Sequence, residues 1–252
     1  MQLADRIQIT KVPLLKIYEF KMNAVAFIFA RGGSKGLPGK NLHLFCGKPM
    51  IAWSIEHAKS IKRIRRVIVS TDSEEIASVA REFGAETPFM RPPELARDDS
   101  PEWLAWRHAL NYLLESEGIL PDVMVSVPVT APLRSADDIE NCLDVFAKGE
   151  TDSVVTVTEA HRSPFFNMVK RNQDGTVSLV IPPSSTIARR QDAPSVFDMT
   201  TVAYVVRPQF VLAHNSLFEG RVHAVTIPLE RAIDIDTLLD FQIAEFLMKQ
   251  RA

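Results

Sequence analysis

The feature that most constrains this chain is a wholly apolar run, "AVAFIFA" at residues 24–30, followed at once by "RGGSKGLPGKN" at 31–41. A run with no polar position is the pattern of a strand buried on both faces, not of a surface strand that alternates. Such a strand needs helices on either side of its sheet, and the sequence supplies them. Pro49 opens a predicted helix to about Ser60, with Ile51, Ile55 and Ala58 on one face and proline at an early position. Residues 67–70 read as a second strand. Asp72 with Glu75 gives an N-cap and capping-box pattern for a helix to Phe83, stopped by Gly84. Residues 89–99 read as a loop around Pro92-Pro93, 101–117 as a helix, and 123–127 as a strand broken by Pro128 and Pro132. Ser135 caps a predicted helix to Lys148, ended by Gly149, and 153–159 is another strand. This alternation with short connections predicts an α/β domain with a mostly parallel sheet. Ligands of such sheets sit beyond the carboxyl ends of strands. The glycine loop, "STD" (70–72) and "VPVTAPLR" (127–134) all follow strands and are expected to converge at one edge.

The pattern changes after about Arg162. Runs at 165–169 and 177–181 flank "NQDG" and predict a hairpin. Residues 201–207 and 222–228 are further strand candidates, and Leu238, Ile243, Phe246 and Leu247 mark the apolar face of a last helix. The region of about 162–200 reads as an insertion within a single domain spanning 22–252, an arm of the kind that subunits exchange. Residues 1–21 lack a long apolar segment and a small-residue cleavage site, and read as a peripheral extension ahead of Met22. A hydrophobic content of 46% with 24% charged residues fits a packed core, and a net charge of −2 implies no sequence-independent grip on nucleic acid. No apolar run nears the roughly 20 residues of a membrane span. The two cysteines, Cys46 and Cys142, form no CxxC motif or His/Cys cluster, which argues against a zinc site or disulfide framework and for a reducing, cytoplasmic setting.

The glycine loop narrows the chemistry. A P-loop needs G-x4-G-K-[ST], but Ser34 stands where the first glycine belongs and Asn41 where the hydroxyl belongs. The dinucleotide fingerprint G-x-G-x-x-G is absent too, since Gly32 and Gly33 are adjacent. The loop still suits a polyphosphate. Glycines let backbone N–H groups approach oxygens closely, and Arg31, Lys35 and Lys40 can spread positive charge over several phosphates. A merely solvated loop is the bland alternative. In "DID", an extended backbone turns Asp234 and Asp236 to the same side, a donor pair suited to Mg²⁺. The competing reading makes Asp236 a cap for the last helix. Asp72 is read as a helix cap rather than a ligand.

"ARGGSKGLPGKN" resembles the signature loop A-R-x-x-S-K-G-[LI]-P-x-K-N of the acylneuraminate cytidylyltransferases, the CMP-sialic acid synthetases related to CMP-Kdo synthetases. Further segments fit in order: "VIVSTDSEEIASVAREFGAE", "RPPELARDDS", "VTAPLR" and "AIDIDTLLDFQIAE". The resemblance covers Met22 to about Lys249. It implies a three-layer, Rossmann-like nucleotidyltransferase fold with a mostly parallel central sheet and a β-hairpin dimerisation insertion. It implies transfer of CMP from CTP to an acidic 2-ulosonic sugar such as an N-acylneuraminate, with release of pyrophosphate. Mg²⁺, or Mn²⁺ in its place, would be held by Asp234 and Asp236. Arg31, Ser34, Lys35, Lys40 and Asn41 would bind the triphosphate, with Arg31 and Lys35 stabilising the departing pyrophosphate. Arg91 and Ser100 would lie near the cytosine, and Arg190, Gln191 and Tyr204 match the family's substrate segment. A homodimer and a place in lipopolysaccharide or capsule synthesis are implied as well. Two other readings fit the loop, a nucleotidyltransferase using another sugar or nucleotide and a nucleotide-binding regulator without catalysis. The "IDIDT" context argues against the first, and retention of Arg31, both lysines and both aspartates against the second. The chain departs from the family at Pro128, where a glutamine is usual, at Asp198, where an arginine is usual, and at Thr200-Thr201, where Asn-Gly is usual. These departures point to a related nonulosonic acid (legionaminic, pseudaminic or KDN-type) or an octulosonic acid as substrate.

Overall fold

A computed structural model describes residues 22–33, 36–183 and 187–251, so the N-terminal extension lies outside the described residues. Along the chain run β1 (Ala24–Phe29), β2 (Leu44–Phe45), β3 (Lys48–Pro49), α1 (Met50–Ser60), β4 (Ile64–Ser70), α2 (Glu74–Glu82), α3 (Glu102–Glu117) and β5 (Val123–Ser126). There follow α4 (Ala136–Ala147), β6 (Ser153–Glu159), β7 (Val169–Arg171), β8 (Val177–Leu179), β9 (Phe197–Val206), α5 (Pro208–Ala213), β10 (Val222–Thr226) and α6 (Leu238–Arg251).

The central sheet has six strands in the order β10-β6-β9-β5-β1-β4. β4, β1 and β5 pair in parallel, as do β6 and β10, while β9 runs antiparallel to both its neighbours. The uniform apolarity of β1 has the expected cause. Ala24, Ala26 and Ile28 enter a core shared with α1, α2, α4 and α6. Val25 and Phe27 enter a second core with α3 and α5 on the opposite face. The fold is thus three layers, and each large side chain buried in either core contributes about 1.5–3 kcal/mol. β7 and β8 pair separately as an antiparallel hairpin between β6 and β9.

Three local expectations need correction. Asp72 does not cap α2. Ser73 does, its side chain accepting from the Ile76 N–H, while Asp72 accepts from the Gly32 N–H at 2.8 Å. The first hairpin strand begins at Val169 rather than ending there, because 164–167 form a turn closed by the Ser163 carbonyl and the Asn167 side chain. On α6, Leu238, Ile243 and Phe246 are exposed, at 59%, 44% and 62%. The inward face is carried by Ala244 with Phe241, Leu247 and Met248, and Phe241 meets Phe45 edge to face at 5.5 Å.

Candidate active site

β1 delivers the chain to the carboxyl edge of the sheet, where the glycine loop starts. The loop is fastened at both ends. Gly32 is tied to Asp72 after β4, and the Asn41 side-chain amide donates to the Arg31 carbonyl at 2.9 Å. After β5, Thr130 accepts from the Ile235 N–H at 2.8 Å, which draws the "DID" segment across the same edge. Ile235 is fully buried, so its neighbours turn the other way. Asp234 and Asp236 both line a cavity of about 430 Å³ that Arg31, Lys40 and Asn41 line as well. That is the two-residue period of an extended backbone.

Asp236 is not the helix cap. Thr237 and Asp240 cap α6 reciprocally, Asp240 Oδ2 accepting from the Thr237 N–H at 2.7 Å and Thr237 Oγ1 from the Asp240 N–H at 3.3 Å. Asp236 instead pairs with Lys40 Nζ at 2.9 Å, and the same ammonium donates to the Ile235 carbonyl at 2.7 Å. Gly36 lets the two segments touch: a Cβ there would stand 2.3 Å from the Asp236 carbonyl oxygen. Arg31 pairs with Asp98. Ser34 and Lys35 lie outside the described residues.

Loss of hydration raises the Asp234 carboxyl above its ordinary value, and Asp236 adds to this, while the Thr130 and Thr201 hydroxyls and Lys40 pull the other way. Asp234 Oδ1 is buried with no hydrogen-bond partner among the described residues. A desolvated carboxylate oxygen without a donor is a fit acceptor for a cation. No group of three or more His, Cys, Asp or Glu that could hold a metal occurs among the described residues. A divalent ion here would take its remaining ligands from substrate or water, as Mg²⁺ in phosphate sites does. Tyr204, also lining the cavity, has its hydroxyl pKa pushed up to about 12 by burial.

A smaller cavity of about 240 Å³ opens behind Phe29 and Arg31 and holds Arg91 and Ser100. Arg91 is buried, and its guanidinium donates to the Ser70 carbonyl at 2.6 Å and lies 5.7 Å from the Phe29 ring centroid. Ser100 Oγ is buried without a partner among the described residues. An aromatic face, a fixed cation and an unsatisfied hydroxyl suit a flat polar ring. Arg190 and Gln191 are not brought to either cavity. They line a third one, of about 440 Å³, with Glu159 and Ser163, and Arg190 donates to the Ala160 carbonyl at 2.7 Å. Reading the sequence missed Thr130, Thr201 and Glu102, which line the main cavity. Thr130 lies within "VTAPLR" and Thr201 among the departures; nothing local marked Glu102.

A polyphosphate-sized cavity lined by both cations and carboxylates, at the carboxyl edge of a mostly parallel sheet, defines a nucleotide-handling α/β protein. The chain belongs to the cytidylyltransferase family, whose pattern matches residues 25–247. It is 37% identical to the post-translational flagellin modification protein B of Campylobacter coli over 89% of this chain and 94% of that protein. It is 34% identical to the CMP-N,N'-diacetyllegionaminic acid synthase of Campylobacter jejuni over 88% of this chain and 93% of that protein. A solved CMP-2-keto-3-deoxy-manno-octonic acid synthetase complexed with CTP superposes with a TM-score of 0.65 at 20% identity, covering 91% of this chain and all of the other.

Proposed function

We propose that this protein transfers CMP from CTP to a 2-ulosonic acid, the sugar's anomeric hydroxyl attacking the α-phosphorus in line as pyrophosphate leaves. The observation that carries the reading is the single cavity shared by the glycine loop and "DID", with a ring-sized recess beside it. The base enters the recess against Phe29, Arg91 and Ser100. The triphosphate crosses the main cavity, where Arg31 and Lys40, with Ser34, Lys35 and Asn41 of the same loop, meet its oxygens. Most of the work is positioning and charge neutralisation. Mg²⁺ or Mn²⁺ held by Asp234 and Asp236 would neutralise charge on the phosphates and the leaving pyrophosphate.

The sugar we favour is a nonulosonic acid of the legionaminic or pseudaminic kind. The legionaminic acid synthase is among the relatives, and the cavity wall at Pro128 and Val129 offers no side-chain donor where sialic acid enzymes carry glutamine. The protein is proposed to act in the cytoplasm, toward a surface glycan such as lipopolysaccharide or capsule, as a homodimer. The dimer reading is supported by the hairpin β7–β8 and by Arg190 and Gln191, which stand apart from their own chain's main cavity and would complete a partner's sugar site. No described helix is long and apolar enough to cross a membrane. The test is pyrophosphate release with each nucleoside triphosphate, Mg²⁺ and a panel of 2-ulosonic acids. Release with CTP and a nonulosonic acid is expected; release with another triphosphate, or CTP binding without release for any acid, would overturn the reading.

A further inference from the structure

Three residues line both the main cavity and the recess: Phe29, Arg31 and Glu102. On the reading proposed above, the recess takes the base and the main cavity the triphosphate. The part of a nucleotide that joins base to phosphates is its ribose, so a residue lining both cavities stands beside the ribose. Of the three, Phe29 has no polar side-chain atom, and the Arg31 guanidinium is assigned on that reading to the triphosphate oxygens. We infer that Glu102 is a specificity-determining residue that hydrogen-bonds a ribose hydroxyl of CTP and so selects ribonucleotide over deoxyribonucleotide.

The local structure holds this carboxyl ready. Glu102 is the first residue of α3, set by Pro101 before it. Its Oε1 accepts from Trp106 Nε1 at 2.9 Å, one helical turn on. Trp106 is itself fixed, 4% exposed and packed against Trp103, Phe29 and Tyr204 at centroid separations of 5.3, 6.2 and 5.7 Å. With one oxygen anchored, the carboxyl plane cannot swing freely. Glu102 makes no other hydrogen bond among the described residues, which leaves Oε2 for a ligand. Glu102 is exposed where it lines the two cavities, yet loss of hydration around its carboxyl raises its pKa. A triphosphate nearby acts in the same direction, since like charges disfavour the carboxylate. A ribose hydroxyl tolerates either state, because it both donates and accepts. The role is thus compatible with a polyanion next door, where a carboxylate aimed at the phosphates would not be.

A purely structural Glu102, acting only as acceptor for Trp106 and as an acid at a helix N-terminus, would affect all nucleotides alike. The deciding measurement is calorimetric binding of CTP, 2′-deoxy-CTP and 3′-deoxy-CTP, in Mg²⁺ buffer, to the wild-type chain and to Glu102→Ala. Glu102→Met fills the space if the shorter side chain costs the fold, as judged by thermal unfolding. Wild type is expected to bind CTP roughly tenfold more tightly than at least one deoxy analogue, the size of one hydrogen bond in a protected site. In the variant that ratio should fall toward one, through loss of CTP affinity and not of analogue affinity. An unchanged ratio in the variant, or no ratio in wild type for either analogue, overturns the ribose assignment and leaves the cytidylyltransferase reading standing. Wild type that fails to bind CTP at all overturns both.

Discussion

Gly36→Ala tests whether the contact between the glycine loop and "DID" aligns the site. A Cβ at position 36 would lie 2.3 Å from the Asp236 carbonyl oxygen and 3.3 Å from its carbon. An ordinary carbon–oxygen contact is about 3.3 Å or more, so the loop or the acidic segment must retreat by about 1 Å. The obstacle is backbone, which no rotamer change can relieve. Displacing catalytic groups by about 1 Å costs roughly a hundredfold in rate. Stability should hardly change, for Gly36 is exposed and is not in the left-handed region. The lost flexibility of the unfolded chain offsets part of the strain, by about 0.4–1 kcal/mol. The assay is pyrophosphate release at saturating CTP and acceptor sugar, with thermal unfolding in parallel. A Gly36→Ala enzyme that melts like wild type and turns over within a few-fold of it would refute the argument that this contact sets the geometry.

Three further outcomes follow from buried charges. Asp234→Asn should abolish most pyrophosphate release. Without metal it should raise the melting temperature near neutral pH, because the folded state binds a proton at Asp234 more tightly than the unfolded state and loses stability as pH rises through that raised value. The gap to wild type should close as pH falls toward 3.8, the ordinary aspartate value; a variant no more stable than wild type at neutral pH would count against it. His57 is held neutral by burial, with Arg134 and Lys48 nearby, and its pKa falls from 6.5 to about 4. Stability tied to this histidine is complete above 6.5 and is lost as pH falls from there toward 4, by about 3 kcal/mol at the limit. His57→Gln should flatten acid unfolding in that window, read by denaturant titration at a series of pH values. Arg134→Ala should cost about 1–3 kcal/mol for each buried acceptor left unpaired, since the guanidinium is buried and bonds the Val202 carbonyl, the Pro128 carbonyl and Ser54 Oγ; chemical denaturation measures it.

How far the sequence could be read depended on whether a pattern was local. β1 and the strand–helix alternation were legible because periodicity reports burial directly, and the both-face burial of 24–29 decides the layering. Arg31 and Lys40 could be placed at the carboxyl edge because their loop follows a strand whose end the pattern marks, whereas Asp234 and Asp236 joined them only through the family resemblance. What escaped depends on pairings between distant segments. Asp72 sits where a cap belongs, but Gly32 outcompetes the helix for its carboxylate, and the adjacent Ser73 takes over. The buried stripe of α6 is shifted because Phe45 recruits Phe241, a choice made by a residue almost 200 positions away in the chain. Glu102 carries no local mark, since an acid at a helix start is what any helix favours.

"DID" looks symmetric as a sequence, but the fold gives its two carboxylates unequal circumstances. The Asp236 side chain is 70% exposed and already paired with Lys40, much as Arg31 is paired with Asp98. The Arg31–Asp98 pair, 34% and 41% exposed, is worth about 0–1 kcal/mol, so an arriving triphosphate can take Arg31 at little cost, while Lys40, 11% exposed and also bonded to the Ile235 carbonyl, would meet it from where it stands. Until then the pairs hold Arg31 and Lys40 at the cavity wall and spare their ordering when substrate binds. Asp234 has the opposite position. It is poorly hydrated, its Oδ1 has no donor among the described residues, and burial already disfavours its charge. A cation that settled there would relieve an existing cost rather than break an existing bond. On the proposed reading the two aspartates that would hold the ion contribute unequally: Asp236 would also keep Lys40 in place, and Asp234 would supply more of the attraction for the ion.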